Sequence, residues 1–252
     1  MIFSTHKFSP PWVVDSWCGN CYCTICGEKI YIENVRKPSK IYGFGDLTIA
    51  LGYQKKGEKM MIAYKGFHKG LICMGYQFVM GKNVTEKANC RQNGFHCAEN
   101  PLDCLTYYPD MDCSEYYIVE AGGDLDEDGT DTKISCTELT ILKRLTRKDF
   151  FLHALVYMAD HPKRKWGANV QMEKGEAAQG YAVVRGSSPR AKGKVGDIIA
   201  LAKEDAAAGD ILQIAVAEVD GKDILPGRWY DVNLQEGEDF HEEERIVQFT
   251  AS

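Results

Sequence analysis

The 252-residue sequence lacks any apolar run near the ~20 residues that a membrane-spanning helix requires. Its first residues also lack the basic, apolar and small-residue order of a secretory signal, and Pro10 and Pro11 interrupt an early helix. Low-complexity tracts are missing as well. We therefore expect a cytoplasmic protein without a membrane partner.

The glycine patterns of phosphate-binding loops and dinucleotide folds are missing, and so is the elbow of serine hydrolases. Basic residues are not in excess, because the formal charge is −6. An acidic chain repels nucleic-acid phosphate unless basic side chains cluster on one face. Two short basic stretches, 161–165 and 185–194, are interpreted as solvated loops. Nucleic acid is therefore not an expected partner.

Cysteine, by contrast, is plentiful, with ten residues and no export signal. This combination favours free thiols or metal ligands in a reducing compartment over disulfides. Paired CxxC turns are a common way to bind zinc, because each turn directs two thiolates at one ion. The sequence therefore predicts a zinc site formed by Cys18, Cys21, Cys23 and Cys26.

A single residue separates these two cysteine pairs, which is unusually compact for zinc. One pair could instead recruit a distant ligand such as Cys90, His96 or Cys97, or all four could be free surface thiols. A second metal motif, the acidic run 124–129, resembles the start of a calcium loop. The expected glutamate at loop position twelve is Ser135, so we interpret this run as an acidic hairpin.

Three segments follow one another along the chain. Residues 1–58 form a cysteine-rich region. Residues 59–161 alternate strands with two helices. Residues 162–252 form a lead-in rich in glycine and alanine, followed by a small β unit with strands predicted at 198–202, 211–219 and 229–234.

Capping residues predict the two helices of the central segment. Asn100 can cap a first helix with Pro101 in its first turn, and Pro109 would end that helix at Tyr108. Thr146 and Asp149 form the capping box of a second, core-facing helix. On this second helix we expect a partly exposed histidine at position 153.

The most informative motif is Asn93-Gly94-Phe95-His96, which precedes the capped helix start at Asn100. The glycine permits a tight turn before a short strand, and the helix begins four residues after the histidine. This arrangement places His96 at the mouth of a cleft, near a helix N-terminus that favours an anionic ligand.

The motif resembles the second signature of the ADP-ribosyltransferase superfamily, especially its poly-ADP-ribose polymerase-like branch. Ala63-Tyr64-Lys65-Gly66 resembles the first signature, residues 116–123 resemble the strand after the helix, and residues 137–141 resemble the final strand. The resemblance implies an α+β protein with an ADP-ribosyltransferase-like central core, between the cysteine-rich N-terminal region and the β-rich C-terminal unit.

The same resemblance implies an enzyme or pseudoenzyme that uses NAD. Glu138 would be the catalytic carboxylate, and His96 would stack on the nicotinamide where the family prefers tyrosine. Lys65 stands where the family prefers histidine, and the backbone of Gly66 would bind the nicotinamide amide. The implied cofactor-binding residues are Tyr64, Lys65, Gly66 and Tyr108.

A second resemblance, from Tyr64 to the C-terminus, is to an uncharacterised family of phages and gut bacteria. It depends on Tyr-Lys-Gly-Phe at 64–67, Gly-Phe-His at 94–96 and Asn-Pro-Leu-Asp at 100–103. This family implies a viral or mobile-element origin and a bacterial host cell. The alternative function is therefore a non-enzymatic binding protein that captures a host protein or a small nucleotide.

Overall fold

A computed structural model of the chain describes residues 30–33, 60–90, 92–127 and 132–237. Within these ranges the chain forms twelve strands, one α-helix and one short 3-10 helix. The 3-10 helix spans Pro101–Thr106, and the α-helix, α1, spans Arg147–Asp160. Neither helix in this part of the chain has the length and apolar character needed to cross a membrane.

The strands divide between two sheets. The first sheet contains β2 (Met61–His68), β3 (Ile72–Cys73), β4 (Tyr76–Gln77), β5 (Gly81–Val84), β6 (Phe95–Ala98), β7 (Ser114–Glu127) and β8 (Lys133–Leu145). The second sheet contains β1 (Ile30–Glu33), β9 (Gln171–Glu176), β10 (Tyr181–Lys192), β11 (Ile198–Glu204) and β12 (Ile211–Glu218).

Four strands of the first sheet pair in a closed circuit. β2 pairs with β7, β7 with β8, β8 with β6, and β6 returns to β2, every pair antiparallel. Because side chains alternate between the two faces of a strand, the circuit buries one apolar set: Ala63, Phe67, Phe95, Cys97, Tyr117, Val119, Ala121, Ile134, Cys136, Leu139 and Ile141. The link from β6 to β2 is its weakest, since only Tyr64 and Ala98 are paired there.

The long hairpin of β7 and β8 needs a glycine at one position. The register shifts between Gly122 and Leu125, and Gly123 has a φ of +69°. A Cβ at Gly123 would stand 2.2 Å from Thr137 Oγ1. Glycine permits both this conformation and this close approach, which together form a β-bulge.

The second sheet mixes parallel and antiparallel strands. β9, β10 and β11 are parallel neighbours, whereas β12 runs antiparallel to β11 and pairs with β1. Parallel neighbours require a crossover of about a dozen residues. Only the first half of β10 pairs with β11. The second half of β10, after the register shift between Arg185 and Arg190, forms part of the connection to β11.

Helix α1 lies between the two sheets and is buried on most of its circumference. The Phe150 ring packs on Tyr116 of the first sheet, with centroids 4.3 Å apart. The neighbouring Phe151 ring packs on Tyr181 of the second sheet, with centroids 5.0 Å apart. Aromatic pairs of this kind add about 0.5–1.5 kcal/mol each beyond area burial. A single helix thus joins the cores of both sheets.

The expected fold class is wrong. The described residues form a β-rich fold of two sheets around one α-helix, not an α+β ADP-ribosyltransferase-like core. One physical reason is the first predicted helix, which forms only a 3-10 segment from Pro101 to Thr106. Another is the length of β7 and β8. Because both strands have exposed polar residues near their ends, the sequence pattern predicts shorter strands than the ones that form.

Local predictions fared better at helix starts than at the C-terminal strands. The Asn100 cap is confirmed, because its side chain accepts from the Leu102 N–H at 3.1 Å. The capping box of Thr146 and Asp149 is confirmed as well. The strand predicted at 229–234 is wrong, since Asp231 Oδ1 accepts backbone N–H groups two and four residues ahead and bends the chain into a turn.

Candidate functional site

A cavity of about 290 Å³ lies in a gap of the first sheet. Along one edge, β2 pairs with β6 at Tyr64 and with β3 at His68. Between these two residues, no strand of the described part of the chain pairs with β2 on that side. The 3-10 helix and the β3–β4 hairpin contribute the remaining walls. The sheet is therefore open at the point where β2 presents Lys65 and Gly66.

Lys65 lies inside the closed circuit, between Ala63 and Phe67 on β2, and is 4% exposed. Its Nζ donates to the His96 carbonyl oxygen at 2.6 Å and contacts Cys73 Sγ at 3.7 Å. The same atom lies 5.1 Å from the Phe67 ring centroid. Within the described ranges, no carboxylate lies within ion-pair distance of Nζ. Among the residues that the structure describes, this buried lysine therefore has no counter-ion.

Tyr108 forms the opposite wall and packs directly on Gly66. A Cβ at Gly66 would stand 2.6 Å from Tyr108 Cδ2, so glycine is required for the contact. The Tyr108 hydroxyl donates to Cys73 Sγ at 3.0 Å. Burial, followed by the hydrogen bond to Cys73, raises the pKa of Tyr108. The phenol is therefore a hydrogen-bond donor at neutral pH.

His96 contributes a neutral imidazole to the cavity. Burial, followed by the positive charges of Lys133 and Lys65, lowers the pKa of His96 to about 4. At neutral pH one ring nitrogen can donate a hydrogen bond and the other can accept one. Lys133 also lines the cavity, and its Nζ lies 4.3 Å from the ring centroid of Tyr107.

Asp103 is the one carboxylate among the residues that line this cavity. Its oxygens are already engaged on the side of the 3-10 helix. Oδ2 accepts from the Thr132 hydroxyl at 2.6 Å and from Arg164 Nη2 at 3.4 Å, and Oδ1 accepts from Asn100 Nδ2 at 3.0 Å. Asp103 therefore holds the cavity wall in place and does not pair with Lys65.

Tyr64 connects the cavity to α1. Its hydroxyl oxygen lies 2.9 Å from His153 Nδ1, and both side chains are buried. The expectation that residue 153 is partly exposed is therefore wrong. The reason lies in the tertiary packing. Because α1 is covered on both sides, a histidine on this helix is buried and needs a hydrogen-bond partner.

The structure brings together five of the six residues predicted for catalysis and cofactor binding. Tyr64, Lys65, Gly66, His96 and Tyr108 all line the cavity. Glu138 is not among the lining residues, and its carboxylate instead pairs with Lys82 Nζ at 2.9 Å. The missing side chain of Gly66 makes room for the Tyr108 ring, and binding of nicotinamide by the Gly66 backbone stays a prediction.

The predicted zinc ligands Cys18, Cys21, Cys23 and Cys26 lie outside the described residues, so zinc binding stays a prediction. Across residues 60–90, 92–127 and 132–237, no group of three or more histidine, cysteine or acidic side chains has the geometry to hold a metal. Asp124, Asp126 and Glu127, from the proposed acidic hairpin, belong to the exposed end of β7.

Three further residues that line the cavity were not predicted from the sequence, namely Cys73, His68 and Lys133. One local signal was available for Cys73. Gly70 and Gly75 both have positive φ; Gly70 lies in the turn between β2 and β3, and Gly75 lies in the two-residue turn between β3 and β4. The folding of this hairpin toward β6 and the 3-10 helix depends on long-range pairing, which the sequence pattern does not report.

Comparison with known proteins supports only the coarser of the two resemblances. Residues 61–153 match a family described as a domain of unknown function, DUF7666. No curated protein and no solved structure matches the chain. The matched segment contains the closed circuit and the first half of α1, and it leaves out the second sheet. An uncharacterised family fits this result, and none of the comparisons supports the ADP-ribosyltransferase superfamily. The phage origin, the host-protein partner and the cytoplasmic location stay predictions.

Proposed function

We propose that the cavity binds a small anionic ligand with an aromatic ring, of the chemical class of a mononucleotide. The supporting observation is Lys65, a buried ammonium whose polar partners among the described residues are a carbonyl oxygen and a thiol, with no carboxylate. Removing a charge from water costs several kcal/mol, and an oppositely charged partner offsets that cost. A phosphate or carboxylate at the cavity mouth would provide the missing counter-charge.

The rest of the wall suits a planar ring. His68, His96, Tyr107 and Tyr108 line the cavity. Stacking of a base on an aromatic side chain contributes about 1–3 kcal/mol. The neutral imidazole of His96 and the phenol of Tyr108 add hydrogen-bonding groups that can orient the ring. Aromatic surface beside a buried cation is the complement of a ring that carries an anionic group.

The size of the cavity favours one half of a dinucleotide over the whole. Its volume of about 290 Å³ lies at the lower end of the range of about 300–1,000 Å³ that is usual for ligand pockets. NAD, the expected cofactor, would leave part of its length outside. Transfer of ADP-ribose receives less support than binding, because Glu138 pairs with Lys82 away from the cavity lining.

Calorimetric titration of AMP, adenosine and NAD into the full chain tests the proposal. We expect AMP to bind, and adenosine to bind at least about tenfold more weakly, since a hydrogen bond to a charged group contributes about 1.5–3 kcal/mol. Lys65→Met should weaken AMP binding by a similar factor. Lys82→Met is the matched control, because it removes an exposed lysine of the same sheet, and it should leave AMP binding unchanged.

Two results would overturn the proposal. One is equal affinity of AMP for the wild type and Lys65→Met. The other is a failure of AMP and NAD to bind at all, while thermal unfolding shows both proteins to be folded. Tight binding of NAD with weak binding of AMP would indicate that the ligand is a complete dinucleotide and not a mononucleotide.

A further inference from the structure

The geometry of the cavity points to a reactive thiol. We propose that Cys73 is a nucleophile that reacts with small electrophiles bearing an anionic group. Its Sγ receives the Tyr108 hydroxyl at 3.0 Å and lies 3.7 Å from Lys65 Nζ, and the residue lines the cavity. The anionic charge of the electrophile rests on the proposed function, in which the cavity binds an anion. The reactivity of the thiol is argued from the groups that contact Cys73.

The Tyr108 hydroxyl and the Lys65 ammonium are both directed at the Cys73 sulfur, and the thiolate is the nucleophilic form of cysteine. In the described ranges, Lys65 has no carboxylate partner within ion-pair distance. A thiolate and a bound anion would share the same cation. The electrophile's anionic group would thus be held near Lys65 while its reactive carbon or sulfur faces Cys73.

Other cysteines near the cavity have surroundings that disfavour the thiolate. Burial raises the pKa of Cys104 to about 12. A hydrogen bond with Cys136, followed by burial, raises the pKa of Cys97. Cys73 is partly exposed, and its sulfur lies 3.7 Å from Lys65 Nζ.

Cys113 provides an internal comparison of opposite charge. It is exposed and free, and its backbone N–H donates to Asp110 Oδ1 at 3.2 Å. A hydrogen bond to the Asp110 carboxylate raises the pKa of the Cys113 thiol. An anionic reagent therefore meets a carboxylate at Cys113 and an ammonium at Cys73.

The chemistry is a simple displacement. With a haloacetate probe, the Cys73 thiolate forms a bond to the methylene carbon as the carbon–iodine bond breaks, and iodide leaves with the bonding pair. The thiol proton passes to solvent before attack. With an anionic disulfide, the same thiolate would form a mixed disulfide and release one thiolate. Both reactions balance without any further oxidant or reductant.

The experiment compares iodoacetate, which is anionic, with iodoacetamide, which is neutral and nearly the same size. The reduced full chain is treated with each reagent, and the alkylation rate at each cysteine is followed by peptide mass spectrometry. We expect Cys73 to react with iodoacetamide at least about tenfold faster than Cys113. We also expect the rate ratio of iodoacetate to iodoacetamide to be at least about tenfold higher at Cys73 than at Cys113.

Variants separate the contributions of the two donors. Lys65→Met should slow alkylation of Cys73 by both reagents, with the larger loss for iodoacetate. Tyr108→Phe should slow both reagents by the same factor, since it removes a donor without changing the charge. Lys82→Met should change neither rate. Thermal unfolding of each variant verifies that a slower rate does not reflect a disrupted fold.

The outcomes distinguish this proposal from the function proposed above. A Cys73 that reacts with iodoacetamide no faster than Cys113 overturns the nucleophile. A Cys73 that reacts fast with iodoacetamide but has no preference for iodoacetate supports the nucleophile and overturns its anionic substrate, and with it the anion-binding function. A preference for iodoacetate that disappears in Lys65→Met supports both.

Discussion

The two sheets on either side of α1 bury a cation in different ways. In the second sheet, Arg185 of β10 is paired with the Glu204 carboxylate, and its Nη2 donates to the Gly209 carbonyl oxygen at 2.8 Å. In the first sheet, Lys65 of β2 has the His96 carbonyl oxygen and the Cys73 thiol as its polar partners. One sheet neutralises its buried charge with its own residues, and the other leaves that charge facing a cavity.

The two sheets also differ in the polarity of the side chains that they bury. The core strands of the second sheet bury an almost uninterrupted series of alanine, valine, leucine and isoleucine side chains. The first sheet buries Asn83, Ser135 and Thr137 as well as Lys65, and its circuit is completed by a single residue pair. We infer that the second sheet mainly stabilises the fold. In the first sheet, Asn83, Ser135 and Thr137 are hydrogen-bonded to backbone groups, whereas Lys65 lines the cavity.

The largest expected effect is the loss of a counter-ion in the second sheet. Glu204→Ala should lower the free energy of unfolding by about 3 kcal/mol, because it leaves the Arg185 guanidinium buried without its carboxylate. Lys65→Met should leave the free energy of unfolding unchanged or raise it, because it replaces an unneutralised charge with an apolar chain of similar length. Urea unfolding of both variants measures the contrast.

The double variant Arg185→Met/Glu204→Met serves as the control for this contrast. It should be more stable than Glu204→Ala, since removal of both charges leaves neither one unpaired. If Lys65→Met destabilises the protein as much as Glu204→Ala does, the two cations are equivalent and the comparison fails.

A smaller effect is expected where Tyr108 packs on β2. Gly66→Ala should lower the free energy of unfolding by about 1–3 kcal/mol, because the new methyl group overlaps the Tyr108 ring. It should also weaken AMP binding by displacing that wall. Gly167→Ala is the matched control, since a Cβ at Gly167 meets no atom within 4 Å. Similar unfolding midpoints for the two variants would contradict the close contact.

The smallest expected effect is a pH dependence from the first sheet. The folded pKa of His96, about 4, lies below the ordinary value of 6.5. Between these values the unfolded chain binds a proton that the folded chain does not, so acidification from about pH 6.5 to 4 destabilises the fold. The stability of the wild type relative to His96→Gln should therefore fall over this range. Urea midpoints for both proteins at several pH values check this, and parallel curves would refute it.

Local chemistry made several parts of the molecule predictable from sequence. Thr146 and Asp149 predicted where α1 begins, because a capping box depends on residues only three apart. Gly-Phe-His before Asn100 predicted a short strand followed by a capped turn. The resemblance to the ADP-ribosyltransferase superfamily, not local chemistry, grouped Tyr64, Lys65, Gly66, His96 and Tyr108. All five line one cavity, and their roles in binding NAD stay predictions.

Predictions that required distant partners were wrong. The prediction of an ADP-ribosyltransferase-like core required several short motifs to lie close together in space. The register of β8 instead places Glu138 opposite Gly122 and Val84, and its carboxylate pairs with Lys82. The burial of His153 was not predictable either. The nearly continuous apolar run of α1 is typical of a buried helix, but the partner of His153 is Tyr64, which lies 89 residues away in the chain.

The sequence by itself determined the caps, the turns and the apolar alternation of the strands, because these depend on neighbours a few residues away. Only the tertiary structure decided that β2, β7, β8 and β6 join in a closed circuit and that the circuit opens beside Lys65. Strand pairing is set by contacts between residues far apart in the chain, and a single pattern is compatible with several registers. Whether a lysine faces water or a buried cavity is therefore decided by the assembled sheet.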